Sequence, residues 1–297
     1  MAISDTEADA AYPEFWLATA IGALRANTVM ANLVRRDASS ELADEGDIVN
    51  VTKRGDVTVR DKTEDTPIQT DSPSNTKVPV AMDTHKYVAW TLEDTSDAKA
   101  VDEAVEYVED AMIGLAEAID SDLLTLYSDV ANDVGEGGQD ITDSTILDAR
   151  KQLNDQKAPM SGRNLVVSSK DDRALLAIDK LSDGSTPEGG QALREAQLGR
   201  IYGFDAFMDQ NVQTSGSNPT ITHNLAFHRN AFYLVSRTLK TSPEGAVSTV
   251  MTDPVTGMAF RYTRQYSIDD LATKHVIDVL YGVKSVDENR YAVEVLA

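Results

Sequence analysis

The sequence contains no cysteine among its 297 residues. A disulfide framework, a thiolate metal site, a thioredoxin-type motif and a cysteine nucleophile are therefore all excluded. Basic residues are scarce as well: 27 Lys and Arg stand against 49 Asp and Glu, which leaves a formal net charge of −22. A chain this acidic repels phosphate groups, which argues against a protein that binds nucleic acid or anionic membranes through its overall charge.

Long apolar runs are missing too. The longest one near the start covers residues 15–24 and ends at Arg25, whereas a membrane-spanning helix needs roughly 20 apolar residues. The segment before it is polar and acidic and lacks the basic stretch of a secretory signal. We therefore expect a protein that is made in the cytoplasm and has no membrane partner.

The acidity comes mostly from aspartate. There are 33 Asp against 16 Glu, and only 12 Lys, although Glu is the better helix former of the two acids. This bias favours a protein selected for high salt, where the Debye length falls to about 3 Å and self-repulsion is screened. An ordinary acidic protein is the alternative.

Residue patterns that carry chemistry are also absent. The four histidines, His85, His223, His228 and His275, form neither an i, i+4 pair nor an H-E-x-x-H motif, which argues against a zinc site. The nucleophile-elbow, dinucleotide-binding and phosphate-binding glycine motifs do not occur. We expect no catalytic, cofactor-binding or metal site, and therefore not an enzyme.

Hydrophobic periodicity changes along the first third of the chain. Residues 12–36 repeat apolar side chains at steps of three and four and predict one or two helices. Residues 46–92 instead alternate apolar and polar positions in four short runs, the second at Val57 and Val59, around a polar stretch. The alternation predicts a long hairpin arm that projects and packs against something else.

The strongest helical pattern lies at residues 97–130. Apolar residues from Val101 to Val130 follow one another at steps of three and four, which places them on one helix face. Ser96 and Asp97 suit an N-cap and a first turn. Further along, the sequence predicts helices at 144–156, 169–180 (from a capping box at Ser169) and 191–197, and strands at 164–167, 201–208, 226–235, 247–251, 258–266, 276–284 and 291–296.

Several segments, in their order along the chain, resemble one protein family. They read VMANLVRRD at 29–37, GDIVNV at 46–51, YVAWTLED at 87–94, LGRIYGFD at 198–205, AFHRNAF at 226–232, VLYGVK at 279–284 and RYAVEV at 290–295. With the long helix, they are similar to the major capsid protein of tailed double-stranded-DNA viruses, and within it to the podovirus-coat-like branch. The fold of that family is shared with herpesvirus capsid floors and bacterial encapsulins. The resemblance implies a strand followed by a helix at 226–232.

The resemblance implies an α+β architecture, the tailed-phage major capsid protein fold, in five parts. These are an N-terminal arm at 1–45, an extended β-hairpin arm at 46–93, a peripheral domain with a long spine helix at 94–139, a mixed α/β axial domain with some peripheral strands at 140–276, and C-terminal peripheral strands at 277–297. It also implies self-assembly through pentamers and hexamers into an icosahedral shell, the capsid of the virion. The shell would enclose the double-stranded DNA genome without sequence-specific binding, and scaffolding, portal and decoration proteins would be further partners. The excess of aspartate points to a halophilic archaeal host.

Seven residues are candidates for contacts between subunits: Trp16, Arg35, Arg36, Arg54, Arg60, Lys62 and Trp90. The five cations would face acidic neighbours, and ordinary solvated charges are the alternative. The arginines of Arg261-Tyr262 and Arg264-Gln265-Tyr266 could stack on bases. In a chain of this charge we expect them to pair with carboxylates of a neighbour instead.

Three other protein classes remain compatible with the residues. An encapsulin-type compartment would have the same fold around an enzyme cargo. An acidic enzyme could build its site from scattered carboxylates. A surface-layer or adhesion protein could bind cations.

Overall fold

The computed structural model describes residues 22, 24, 28–36, 48–55, 57–70, 72, 74–93, 103–178, 199–241, 246–253 and 256–297. Trp16, the caps at Ser96 and Asp97, the predicted helix at 191–197 and most of the predicted helices at 12–36 lie outside these residues.

Five helices occur in the described part of the chain. They are α1 Met30–Leu33, α2 Glu103–Leu124, α3 Asp143–Asp155, α4 Ser169–Leu176 and α5 Glu288–Tyr291, and a 3-10 turn at Thr125–Asp129 continues α2. The 22 residues of α2 span about 33 Å at about 1.5 Å per residue. This is the long helix that the apolar repeat predicts.

Fourteen strands occur in the described part of the chain. Their bounds are β1 Ile48–Lys53, β2 Thr76–Ala81, β3 Thr84–Glu93, β4 Asp133–Gly135, β5 Arg163–Val167, β6 Arg200–Ile201, β7 Phe204–Met208, β8 Thr214–Ser215, β9 Ile221–His228, β10 Phe232–Arg237, β11 Val247–Thr252, β12 Ala259–Ser267, β13 Ala272–Ser285 and β14 Ala292–Leu296.

These strands form two large sheets and one small one. The five-stranded sheet has the order β10-β13-β12-β11, with β3 also paired to β13, and all of its pairs are antiparallel. The seven-stranded sheet has the order β4-β14-β9-β5-β7-β6, with β8 paired to β9. In it β5 runs parallel to β7, and β14 parallel to β4. Strands β1 and β2 make the small antiparallel sheet by themselves.

The body has two large apolar cores. In the first, one face of α2, including Met112, packs with Phe260 and Ile277 of the five-stranded sheet and with Phe227 of the seven-stranded sheet. The second core, on the seven-stranded sheet, contains the apolar residues of α3 and α4. Tyr291 contacts both cores, so the two sheets are joined at the start of β14.

Polar contacts fix α2 to the five-stranded sheet. Lys86 of β3 lies 2.7 Å from Asp122 at the end of α2. Tyr281 of β13 donates a hydrogen bond of 2.5 Å to the same carboxylate. Because one carboxylate holds two neighbouring strands, α2 has a defined position along the sheet.

Several predicted elements are confirmed and others are wrong. The helix at 144–156 and the strand at 164–167 are confirmed as α3 and β5. The predicted strand at 201–208 is two strands, β6 and β7, joined by a turn in which Tyr202 and Gly203 have φ of 46° and 90°. The predicted strand at 226–235 is likewise divided between β9 and β10, so the strand–helix segment at 226–232 is a strand, a turn and another strand.

The capping box of α4 starts one residue earlier than predicted. Ser168, not Ser169, is the N-cap, and its hydroxyl accepts a hydrogen bond from the backbone N–H of Asp171 at 3.2 Å. The Ser168 hydroxyl also donates to the carboxylate of Asp171 at 2.7 Å. Two adjacent serines made the register ambiguous, and the backbone geometry selects the first.

Candidate subunit interface

We call residues 48–81 the arm, because they project from the two-sheet body as a hairpin. Strands β1 and β2 pair from Ile48 opposite Ala81 to Lys53 opposite Thr76. The described residues between them form no strand, so the strand predicted at Val57 and Val59 is wrong. Strand β3, predicted to be part of the arm, pairs with β13 in the body instead.

The root of the arm is buried. Val49, Val80 and Met82 pack with Tyr233 and Val235 of β10 in a small apolar cluster. Val80 is fully buried and Val49 is 4% exposed. The root is therefore held by the body, and its direction is fixed.

One glycine lets the arm approach the body this closely. A Cβ on Gly282, in the middle of β13, would lie 1.9 Å from the backbone oxygen of Ala81. Real Cβ atoms do not come that near to another atom, and the obstacle is backbone that cannot rotate away. Only glycine at 282 permits the observed crossing of β2 over β13.

The outer part of the arm, in contrast, exposes its apolar residues. Val57 is 70% exposed, Val59 95% and Ile68 78%. Within this outer part, residues 62–66 form a small turn. In it, the Lys62 ammonium donates hydrogen bonds to the backbone oxygens of Thr63 and Thr66 at 2.7 and 2.6 Å. An extended segment with apolar side chains in water has the properties of a segment that is covered by a partner.

A cleft with several cations lies at the arm's root. It has a volume of about 680 Å³ and is lined by β1, the Arg35 segment, the β9–β10 turn and α5. Lys53 on its wall forms an ion pair of 2.5 Å with Asp287. Asp287 has a φ of 61°, a left-handed conformation that costs energy for a residue with a side chain.

The segment at residues 28–36 is held against α2 by one buried carboxylate. Asp120 of α2 is 0% exposed and accepts hydrogen bonds from the backbone N–H groups of Val29 and Ala31 at 2.5 and 3.0 Å. Burial, together with the nearby carboxylate of Asp209, raises the pKa of Asp120 to about 7, although the backbone hydrogen bonds lower it. The apolar repeat that predicts α2 includes Ile119 but not Asp120, so it does not indicate that Asp120 is buried.

The six described interface candidates lie at separate places. Arg54, Arg60 and Lys62 are exposed on the arm, Arg54 at its root beside the cleft. Arg35 bonds through its backbone to Phe232 and Leu234 and places its guanidinium 5.4 Å from the Tyr233 ring centre. Arg36 lines a second cleft of about 310 Å³. Trp90 is half-buried in β3 and stacks on His275 at 5.4 Å between ring centres.

Sequence reasoning missed two cations of the cleft, Lys53 and Arg290. Lys53 ends an alternating strand and carries no further signal. Arg290 sits in the RYAVEV segment used for the family resemblance, but only the fold brings it to the arm.

The arginine pairing expected between subunits occurs within the chain at one position. Arg261 of β12 contacts both carboxylate oxygens of Asp278 on the adjacent strand, at 3.0 and 2.5 Å. His85 of β3 lies 2.8 Å from the same carboxylate. These bonds give the Asp278 carboxylate, in a residue only 3% exposed, hydrogen-bond partners within the sheet.

His223 is held by contacts with three neighbouring side chains. His223 hydrogen-bonds to Glu294 and Ser215 and stacks on Tyr127 at 4.1 Å. Among the described residues, no group of three or more His, Asp or Glu is placed to hold a metal ion. None of the described helices is both long and apolar enough to span a membrane.

Comparison with solved structures finds the same fold in phage heads. A Mycobacterium phage Che8 structure matches with a TM-score of 0.67 and 22% identity over 90% of both chains. The capsid of Cyanophage P-SCSP1u matches with a TM-score of 0.62 and 12% identity over 90% of this chain and 87% of that one. A virus-like particle from Pyrococcus furiosus matches with a TM-score of 0.54 and 12% identity over 96% and 99%.

No protein-family model and no curated protein matches the sequence. The similarity is therefore found in the three-dimensional structure, at sequence identities of 22% or less. The α+β architecture that the resemblance predicts is confirmed, and the chain has the fold of tailed-phage capsid proteins.

Proposed function

We propose that the chain is the major capsid protein of a tailed double-stranded-DNA virus. Many copies would assemble into the icosahedral shell of the virion, through pentamers and hexamers. The observation that carries the proposal is the fold similarity to the capsid of Cyanophage P-SCSP1u, over 90% of this chain and 87% of that one. The role is structural rather than catalytic, and the capsid neighbours support that assignment.

In this role the arm would lie over an adjacent subunit. Its root is fixed by the buried cluster around Val80, whereas Val57, Val59 and Ile68 face water. Burying each aliphatic side chain contributes about 1.5–3 kcal/mol. A neighbouring copy is the partner that a self-assembling shell offers for them.

The two sheets would form the two domains of the subunit. The five-stranded sheet with α2 corresponds to the peripheral domain, and the seven-stranded sheet with α3 and α4 to the axial domain near the capsomer centres. This assignment places β3 in the peripheral domain with β13. Residues 28–36, which hydrogen-bond to Asp120 of α2, would belong to the N-terminal arm at 1–45.

The net charge of −22 fits a shell that assembles in high salt. Such a shell encloses DNA without binding it tightly, and scaffolding, portal and decoration proteins would be its other partners. Because like-charged copies repel each other at low ionic strength, the particles should lose integrity when salt is diluted. Full stability after dialysis into low salt without divalent cations would count against a halophilic host.

A second candidate is a shell that encloses something other than a viral genome. The Pyrococcus furiosus virus-like particle favours it, because the match covers 96% of this chain and 99% of that one. Its TM-score of 0.54 is below the 0.67 of the Che8 structure. The contents of purified particles distinguish the two.

The direct test is electron microscopy of the purified protein. The proposal predicts closed, uniform particles or rings of five and six subunits in high salt. Particles from infected cells should contain nuclease-protected double-stranded DNA, whereas a cargo of protein alone would support the second candidate. A monomer at every salt and protein concentration would refute both.

A further inference from the structure

The cleft at the root of the arm is positively charged although the chain is strongly acidic. The described residues that line it include four cations, Arg35, Lys53, Arg54 and Arg290, and one carboxylate, Asp287. These lining residues together carry an excess of three positive charges in a chain of −22. Because charges are screened beyond about 8 Å at physiological salt, the cleft attracts a nearby anionic group even though whole chains repel.

The same cleft has apolar surface beneath its charges. Val51, Val286 and the rings of Tyr233 and Tyr291 line it. The Arg290 guanidinium lies 5.4 Å from the Tyr291 ring centre. Its size, about 680 Å³, falls in the range of about 300–1,000 Å³ typical of ligand pockets. This combination fits a short acidic peptide turn with aliphatic neighbours.

The turn between β12 and β13 has those properties. Strand pairing ends at Ser267 opposite Ala272, and the four residues between them are Ile-Asp-Asp-Leu. Ile268 is 79% exposed and Leu271 60%, and both aspartates are exposed as well. The turn contains no cation.

This β12–β13 turn has a defined shape. The Ser267 hydroxyl donates a hydrogen bond of 2.9 Å to the Asp270 carboxylate. Leu271 has a φ of 47°, a left-handed conformation that costs an aliphatic residue energy and recurs at functional sites. Asp269 is left at the outer end of a preorganised turn, and such preorganisation lowers the entropy lost on binding.

We propose that the cleft of one subunit receives the β12–β13 turn of a second copy of this chain. Asp269 meets Arg54 at the mouth of the cleft, and the aliphatic side chains of Ile268 and Leu271 cover its tyrosine and valine surface. The occupant comes from another copy, because the turn is exposed within its own chain. This contact rests on the proposed function, since it is one of the contacts by which subunits assemble.

Other acidic segments of the described chain fit the cleft less well. The outer arm carries Asp61, Glu64 and Asp65, but Arg60 and Lys62 alternate with them. Glu117 and its neighbours lie on the straight face of α2, which has no turn to enter a cleft. The β12–β13 turn combines negative charge, exposed apolar side chains and a narrow tip.

Charge exchange tests the contact. Arg54→Glu and Asp269→Lys are made separately and together, and the assembled fraction is measured by sedimentation at several protein and salt concentrations. Each single variant should raise the protein concentration for half-assembly by about tenfold or more, because a close charge pair is replaced by repulsion. The double variant should recover most of the loss. Lys151→Glu, at an exposed position of α3 outside the arm and the cleft, and Glu117→Lys reverse charges elsewhere and serve as matched controls.

The outcomes separate the contact from the function. If the wild-type protein forms shells but the single reversals assemble normally, or the double variant does not recover, the contact is refuted and the proposed function stands. If the wild-type protein forms no oligomer, both fall. Unchanged circular dichroism and melting temperature of each variant show that folding is not the cause.

A crosslinking experiment gives an independent readout, because the chain has no cysteine of its own. Chains carrying Arg54→Cys are co-assembled with chains carrying Asp269→Cys and treated with a short bifunctional maleimide. The proposed contact predicts a covalent dimer containing one chain of each kind. Replacing Arg54→Cys by Arg60→Cys should abolish most of it, and equal yields from both pairs would overturn the proposal. If the covalent dimer disappears only when nucleic acid is added, the cleft binds phosphate instead.

Discussion

The arm and the two-sheet body bury very different shares of their apolar side chains. In the body, Phe227, Phe232 and Phe260 are 0% exposed. In the outer arm, Val59 is 95% exposed. The body has the packing of an independently stable domain, whereas the arm is fixed only at its root.

The two regions are therefore stabilised by different partners. The body is stabilised by contacts within one chain, and its sheets close around α2, α3 and α4. A two-stranded hairpin is at best marginally stable alone in water. We infer that the arm gains its full stability only when another subunit covers it.

The largest effect is expected in the body, from Phe227→Ala. This ring packs edge-on against Phe232 at 5.2 Å between centres, and its loss leaves a cavity. The free energy of unfolding should fall by about 3–5 kcal/mol, measured by urea titration under conditions that keep the protein monomeric. Phe207→Ala, at a position that is 39% exposed, is the matched control and should cost far less. Equal losses would mean that the body is not packed as described.

A smaller effect is expected where the arm meets the body, from Gly282→Ala. The added Cβ would meet the backbone oxygen of Ala81 at 1.9 Å, so the arm's root must shift and the free energy of unfolding should fall by about 1–3 kcal/mol. Gly114→Ala on α2 adds the same atom where no atom lies within 4 Å. It should instead stabilise the protein by about 1 kcal/mol. A neutral result at 282 would show that the arm is not anchored there.

A third prediction concerns pH and the segment at residues 28–36. The folded-state pKa of Asp120 is raised to about 7 from 3.8, so the folded state binds a proton more tightly than the unfolded state. The free-energy cost of burying the ionised carboxylate is absent below the pKa of Asp120 in the unfolded state. It grows as pH rises towards about 7. Stability should therefore fall as pH rises between about 4 and 7, by at most about 1.4 kcal/mol per pH unit from this group.

The control for that prediction is Asp120→Asn, which stays neutral and should flatten this part of the stability profile. The measurement is the denaturation midpoint at closely spaced pH values, with hydrogen exchange of the Val29 and Ala31 amides as a local readout. An unchanged slope in Asp120→Asn would contradict the assignment.

The smallest effect on the isolated subunit is expected in the outer arm, from Ile68→Ser. This side chain is 78% exposed, so the free energy of unfolding of the monomer should change by no more than about 0.5 kcal/mol. Assembly should nevertheless weaken, because the apolar side chain is lost from the contact with a neighbour. Ile68→Val keeps most of the apolar surface and should assemble nearly normally. A large loss of monomer stability would show that Ile68 packs against the body of its own subunit.

Periodicity predicted the elements that are regular over many residues. The apolar repeat from Val108 to Leu123 predicted α2, and alternation predicted β1 and β3. It failed where local chemistry decides: the left-handed turn at Tyr202 and Gly203 divides one predicted strand, and Val57 and Val59 alternate without any strand partner. Alternation indicates that a segment can pair, and whether it does depends on what lies beside it.

The candidate site was less accessible from sequence. Arg35 and Arg54 were identified as charged residues near signature segments, and both lie at the cleft. Lys53 and Arg290 were not, because they are more than two hundred residues apart in the chain and meet only through the fold. Asp120 was hidden for a similar reason, since its partners are backbone groups of a distant segment.

The most direct test of the account replaces residues 57–70 with a short glycine–serine linker and compares assembly with the wild-type protein by electron microscopy. If the arm is a contact between subunits, the variant should keep the circular dichroism and monomer melting temperature of the wild type but form no closed shells. Wild-type protein in the same buffer should form them. A variant that closes into shells as efficiently as the wild type would contradict the claim that the arm is a contact between subunits.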